Sequence, residues 1–172
     1  LLSVQVFGAS GGASGVDVAN GIRFAADGGA NVINLSLGPS GGTAAQQAAF
    51  YSSLASAINY AAGKNATVVF AAGNSAQVFA GNGVISGLSD AALQRLVIVG
   101  STNAAKQLSS FSNTAGSGRF VSTTGRSYDV RALVLMAEGE NLVGASNYGG
   151  APCTGYTCLT QMSGTSLAAP LV

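Results

Sequence analysis

Histidine is absent from this sequence. Its absence excludes any mechanism that needs a histidine base or a histidine metal ligand within these 172 residues alone. Charge is scarce as well: charged residues make up 8% of the chain, against about 25% in an average soluble protein. A net charge of +1 gives no electrostatic case for nucleic acid or an anionic membrane as partner. No apolar run reaches the length of a transmembrane helix. Glycine-rich stretches such as Gly8–Gly15 lack both the dinucleotide spacing and the Gly-Lys-Ser/Thr signature, which argues against a nucleotide site. There are two cysteines, Cys153 and Cys158, lying beside Pro152 and Gly155. Without histidine they cannot fill a four-ligand zinc site. A local disulfide in an exported protein fits them, and two free thiols remain an alternative.

What is present is apolar and small. Hydrophobic residues are 48% of the chain and glycines number 25, which suggests a compact, loop-rich, exported protein rather than a disordered one. The length suffices for one domain with a sizeable core. The chain opens at Leu1-Leu2 without a starting Met or a charged leader, and it stops at Val172 inside a helical pattern. Both ends read as cut, so the expectation is a piece of a longer polypeptide.

In order, Leu2–Phe7 alternates like a buried strand. Ser14 with Asp17 has the spacing of a capping box, and the face Val16, Ala19, Ile22, Ala25 and Ala26 predicts a helix ended by Gly28-Gly29. Asn31–Leu37 reads as a central parallel strand. Thr43 and Gln46 form a second capping box, for a helix running to about Ala62. Thr67–Ala72 and Leu96–Gly100 are further strands, with a surface loop over residues 76–89. Ser109–Asn113, Arg119–Ser122 and Val130–Met136 read as shorter strands. Asn141–Ala145 and Thr157–Gln161 suggest a hairpin around the cysteine loop. The alternation of strand and helix predicts an α/β fold: a parallel central sheet with right-handed crossovers and helices on both faces, incomplete at both ends.

The most informative stretch is the last: Met162-Ser163-Gly164-Thr165-Ser166-Leu167-Ala168-Ala169-Pro170-Leu171-Val172. A helix beginning just after Ser166 would set its hydroxyl among unpaired N–H groups at a positive helix end. That setting suits a nucleophilic serine, and it equally suits an ordinary N-cap. The longer string decides between them. Gly164-Thr165-Ser166-Leu167-Ala168-Ala169-Pro170 resembles the nucleophile motif of the subtilisin-like serine proteases, the subtilases. Val32-Ile33-Asn34-Leu35-Ser36-Leu37-Gly38 and Val68-Val69-Phe70-Ala71-Ala72-Gly73-Asn74 resemble two more of the family's strings, in the family's order.

The resemblance implies roles. Ser166 would be the nucleophile and Asn74 an uncharged oxyanion donor, with the backbone N–H of Ser166 as the second donor. Ser36, Leu37 and Gly38 would pair with an extended peptide, and Ala71, Ala72 and Gly73 would wall the first specificity pocket. The substrate would be a polypeptide and the protein secreted or at the cell surface. The Cys153–Cys158 region is similar to exported bacterial subtilases, including autotransporter-type ones. No cofactor is identifiable. Calcium is suggested by the family resemblance only, since no acidic cluster here has ligand spacing.

Departures from the family pattern are plain. Neither the Asp-Ser/Thr-Gly nor the His-Gly-Thr string of the triad occurs, and none of Asp17, Asp27, Asp90 and Asp129 is assigned to it. Ala137-Glu138-Gly139 stands where many members have Ala-Pro-Gly, and Leu171 where many have His. Residues 1–172 thus read as part of a subtilisin-like peptidase domain lying after the missing Asp and His. A catalytically silent peptide-binding module with the same fold is the alternative, and a small-molecule-binding α/β domain is a third.

Overall fold

The computed structural model describes residues 1–39, 43–78, 85, 87–145 and 159–172. The first helix, α1 (Gly15–Asp27), starts on the expected capping box. The Ser14 hydroxyl accepts from the Asp17 N–H at 3.2 Å, and the Asp17 carboxylate accepts from the Ser14 N–H at 3.0 Å. The second, α2 (Ala44–Gly63), starts on the Thr43–Gln46 box. Each N-cap is worth about 1 kcal/mol.

Four parallel strands form the central sheet in the order β1-β2-β3-β6: β1 (Val32–Leu35), β2 (Thr67–Ala71), β3 (Leu96–Thr102) and β6 (Val134–Glu138). A one-turn helix, α3 (Asp90–Leu93), leads into β3. Between β3 and β6 lie the antiparallel pair β4 (Arg119–Val121) and β5 (Ser127–Asp129) and a 3₁₀ turn at Val130–Leu133. A hairpin of β7 (Leu142–Ala145) and β8 (Leu159–Met162) follows. The chain ends in α4 (Thr165–Ala168) and a 3₁₀ turn at Ala169–Leu171.

Alternation along β2 sorts the core into two layers. Val68 and Phe70 point toward α1 and α2, with Ile22, Leu54, Ile58 and Ile98. Val69 and Ala71 point the other way, against Val99, Ala168 and Ala169. Helices therefore cover both faces of the sheet. Phe70 is among the largest fully buried side chains, and its truncation to Ala would cost about 3–5 kcal/mol.

Several expectations are corrected. Leu2–Phe7 forms no strand: Leu2 and Phe7 are about half exposed, and only Val4 and Val6 pack on the core. A strand needs a hydrogen-bonded neighbour. Here an open space of about 770 Å³, lined by Leu2, Val4 and Val6 on one side and by Val32–Leu35 on the other, separates this stretch from β1. β1 is accordingly an edge of the described sheet rather than a central strand, with Val32 60% exposed. On α1 the buried face carries Val18 in place of Val16, which stands 62% exposed. Ser109–Asn113 is a turn, not a strand. Within the expected surface loop 76–89, Ile85 and Leu88 are fully buried. Val130–Leu133 is 3₁₀, with the strand confined to β6. Cys153 and Cys158 lie outside the described residues.

Candidate active site

Because the four central strands are parallel, their carboxyl ends share one edge, and in open α/β sheets ligand sites gather there. Ser36-Leu37-Gly38 follows β1 at that edge, and Ala72-Gly73-Asn74 follows β2. The Gly164 turn is pinned beside them. Gly164 N–H donates to the Gly139 carbonyl at 2.8 Å, just past the end of β6, and Gly139 N–H donates to the Thr102 carbonyl at 3.0 Å. Gly139 permits this approach: a Cβ there would lie 2.7 Å from the Gly164 carbonyl oxygen and 2.6 Å from Ser101 Oγ.

Thr165 ties the turn to the end of β2. Its N–H donates to Asn74 Oδ1 at 2.8 Å and its hydroxyl donates to the same oxygen at 2.9 Å. That hydroxyl also accepts from Gly73 N–H at 3.1 Å. With Oδ1 occupied, the Nδ2 end of the Asn74 amide is left facing Gly164 and Ser166. An atom placed where a Cβ of Gly164 would sit lies 3.4 Å from Asn74 Nδ2, 3.1 Å from Ser166 Oγ and 3.8 Å from Ser166 N. Ser166 N–H has no acceptor among the described residues.

The helix begins two residues earlier than the sequence suggests. Its N-cap is Gly164, without a side-chain cap, so Ser166 lies inside the first turn rather than before it. Ser166 is therefore not an N-cap, and its hydroxyl is not consumed in capping.

These groups border a cavity of about 520 Å³. Ser36, Leu37, Gly38, Ala71, Gly73, Asn74 and Ser166 all line it, so seven of the eight residues singled out from the strings meet in one place. The eighth, Ala72, is buried at 2% exposure and faces the core instead. Tyr51, Asn113 and Thr165 also line the cavity, and no role was read for them in the sequence. Thr165 stood inside the recognised motif. Asn113 and Tyr51 gave no local signal. Burial pushes the Tyr51 phenol above its ordinary range.

Gly73 has φ +105°, which favours glycine, and a Cβ there would stand 2.5 Å from Asn113 Nδ2. None of the four aspartates reaches the cavity. Asp17 caps α1. Asp27 accepts from the Tyr60 hydroxyl at 2.6 Å and pairs with Lys64 at 3.3 Å. Asp90 accepts from Thr124 and Tyr128, and Asp129 pairs with Arg131. Their structural partners account for all four. No helix among the described residues is long and apolar enough to cross a membrane.

A parallel α/β sheet with a Gly-Thr-Ser turn docked at its carboxyl edge defines a class of protein, and comparison with known proteins names it. The Subtilase family profile, Peptidase_S8, matches residues 1–172, and the chain belongs to that family. It is 31% identical to the thermophilic serine proteinase of Bacillus sp. (strain AK1) over 172 residues, covering 100% of this chain and 33% of that protein. It is 47% identical to thermitase of Thermoactinomyces vulgaris over 74 residues, 43% of this chain and 24% of thermitase. Among solved structures, a cold adapted subtilisin-like serine proteinase matches at 27% identity with a TM-score of 0.62, covering 96% of this chain and 48% of that one. The prenylagaramide maturation protease PagA matches at 25% identity with a TM-score of 0.62, covering 96% and 49%. The chain thus spans a third or less of the curated relatives and about half of the solved ones.

Proposed function

We propose that these residues are the nucleophile-bearing part of a secreted subtilisin-like serine endopeptidase. The observation that carries the reading is the single point beside Gly164 that lies within 3.1–3.8 Å of Ser166 Oγ, Asn74 Nδ2 and Ser166 N. A peptide carbonyl entering there would meet a nucleophile and two hydrogen-bond donors at once. Ser166 Oγ attacks the carbonyl carbon, and its proton passes to a base. Asn74 Nδ2 and the Ser166 N–H stabilise the oxyanion that develops. Collapse expels the amine and leaves an acyl-enzyme on Ser166, which water then hydrolyses. Ser36, Leu37 and Gly38 offer backbone to an extended substrate, and Ala71 and Gly73 wall the pocket for its side chain.

The base is not in this chain, which has no histidine and no lysine in the cavity lining. The reading therefore takes the Asp and His of the triad from outside these 172 residues. The same absence favours a second reading, a silent module that holds peptides without cleaving them. Secretion rests on the low charge and the cysteine pair.

The test is serine-directed phosphonate labelling. A protein combining this chain with the triad Asp and His should be labelled on Ser166 and lose all labelling as Ser166→Ala. The 172-residue chain alone should label no faster than free serine does. A protein with both partners that binds peptide but never labels would establish the silent module.

A further inference from the structure

Asn113 stands 39 residues from Asn74 in sequence, yet its hydrogen bonds bracket it. Asn113 Nδ2 donates to the Ala72 carbonyl at 2.9 Å, and Asn113 N–H donates to the Gly73 carbonyl at 2.9 Å. On the far side, Asn113 Oδ1 accepts from Ser75 N–H at 3.1 Å and from Gln77 N–H at 3.0 Å. Residues 72, 73, 75 and 77 are held, and Asn74 between them is left for other work. We infer that Asn113 is the positioning residue that fixes the backbone of the Asn74 turn, and so aims the Asn74 amide at the substrate carbonyl. This rests on the reading of Asn74 as the oxyanion donor.

Three features favour positioning over simple loop closure. First, the two ends of Asn74 are held independently. Thr165 grips its side-chain oxygen, whereas Asn113 grips only the backbone around it. A donor at the end of a short side chain is only as well placed as its own Cα.

Second, Asn113 is itself anchored from below. Ser112 Oγ accepts from Ser101 N–H at 2.9 Å and donates to the Asn113 carbonyl at 3.0 Å, and Ser101 Oγ shares a hydrogen with Ser109 Oγ at 2.8 Å. Ser101, Ser109 and Ser112 are all buried. The turn is thereby referenced to the rigid end of β3, the same strand end that holds Gly139 and through it the Gly164 turn. Donor and nucleophile are built from one base.

Third, the backbone here leaves an ordinary extended path: Gly73 takes φ +105° freely, as glycine can, but Ala76 holds φ +53°, which is costly for a residue with a Cβ. Such a path persists only when its surroundings over-determine it. The side-chain amide of Asn113 supplies a donor and a two-bond acceptor together, which neither Asp nor Ala can do.

The test is a double-mutant cycle in the active protein that combines this chain with the triad partners. Asn113→Ala should lower kcat roughly 10- to 100-fold, the scale of a slightly misplaced catalytic group, with KM unchanged. In an Asn74→Ala background the same substitution should lower kcat no further, because there is no donor left to aim. An equal loss in both backgrounds would overturn the inference, as would a rise in KM alone, which would make Asn113 a wall of the substrate pocket. If Asn74→Ala itself left kcat unchanged, the oxyanion reading would fall while the positioning claim faced a separate measurement. That measurement is the NMR signal of the Asn74 side-chain amide, which Asn113→Ala should shift and broaden; unmoved signals would refute the claim. Should Asn113→Ala not fold, Asn113→Asp keeps the acceptor and loses the bond to Ala72, and the same outcomes apply.

Discussion

Thr165 holds Asn74 twice by one oxygen: its backbone N–H and its hydroxyl both donate to Asn74 Oδ1, at 2.8 and 2.9 Å. The grip consumes the acceptor end of the amide and leaves the donor end for the cavity. Asn74→Asp separates the two functions. A carboxylate still accepts both bonds from Thr165 but presents a second acceptor, with negative charge, where the oxyanion would form. The variant should fold and bind peptide, and kcat should fall at least the roughly 10²–10³-fold known for losing such a donor in a subtilisin. Steady-state kinetics on a peptide substrate decide it, and a change confined to KM would make Asn74 a substrate-positioning residue instead.

Gly164→Ala makes a sharper demand. Its φ of 164° is extended backbone that any residue adopts, so the chain should tolerate alanine. The new methyl would stand 3.1 Å from Ser166 Oγ and 3.4 Å from Asn74 Nδ2, on the point assigned to the substrate carbonyl. Acylation should be lost while thermal unfolding stays close to that of the parent. Unchanged burst kinetics would mean the carbonyl sits elsewhere.

Acid should weaken the protein in a defined window. The Arg131 side chain, with further help from its backbone N–H, holds the Asp129 carboxyl down from 3.8 to about 2. A carboxyl depressed on folding stabilises above its unfolded value, and the contribution is lost as pH falls through the folded one. Stability from this pair is therefore complete above about pH 4 and gone below about pH 2. The pair is at the surface, so the effect is small. Asp129→Asn keeps the cap acceptor for Arg131 and removes the titration. Urea midpoints measured from pH 5 to pH 2 should decline less steeply for the variant; parallel declines would show that Asp129 does not contribute.

If the proposed export holds, Cys153 and Cys158 are expected to be bridged. Intact-mass measurement without reductant should find two hydrogens fewer than the reduced chain, and two alkylatable thiols would refute the bridge.

Local chemistry was legible in the sequence. Both capping boxes are contained within four residues and formed as read, and the parallel sheet followed from strand–helix spacing. What depended on distant partners was not legible. Leu2–Phe7 has the alternation of a strand, but alternation cannot supply a neighbour. Ile85 and Leu88 sit among glycines, and their burial is set by packing against the core. At the site, seven of the eight residues picked from the three strings border one cavity, because each string is a continuous stretch reaching the same sheet edge. Asn113 escaped because its four bonds reach back 36 to 41 residues to a turn that pattern alone cannot place. Ser166 was placed two positions too early relative to its helix, since Gly164 can end a strand path and open a helix without any capping side chain.

Among the described residues, the lining of the Ser166 cavity is built from hydroxyls, amides, glycines and aliphatic carbon, and its one ionisable group, the Tyr51 phenol, is pushed up by burial. Across neutral pH this surface is electrically silent. Its hydrogen bonds hold their strength and direction across mildly acid to mildly alkaline solution, so the groove proposed to receive a peptide, and the donors proposed to face its carbonyl, do not change character there. In the proposed enzyme, an inflection near neutrality in a pH–rate profile would therefore report a group outside these lining residues, and its midpoint would read out the base proposed to take the Ser166 proton.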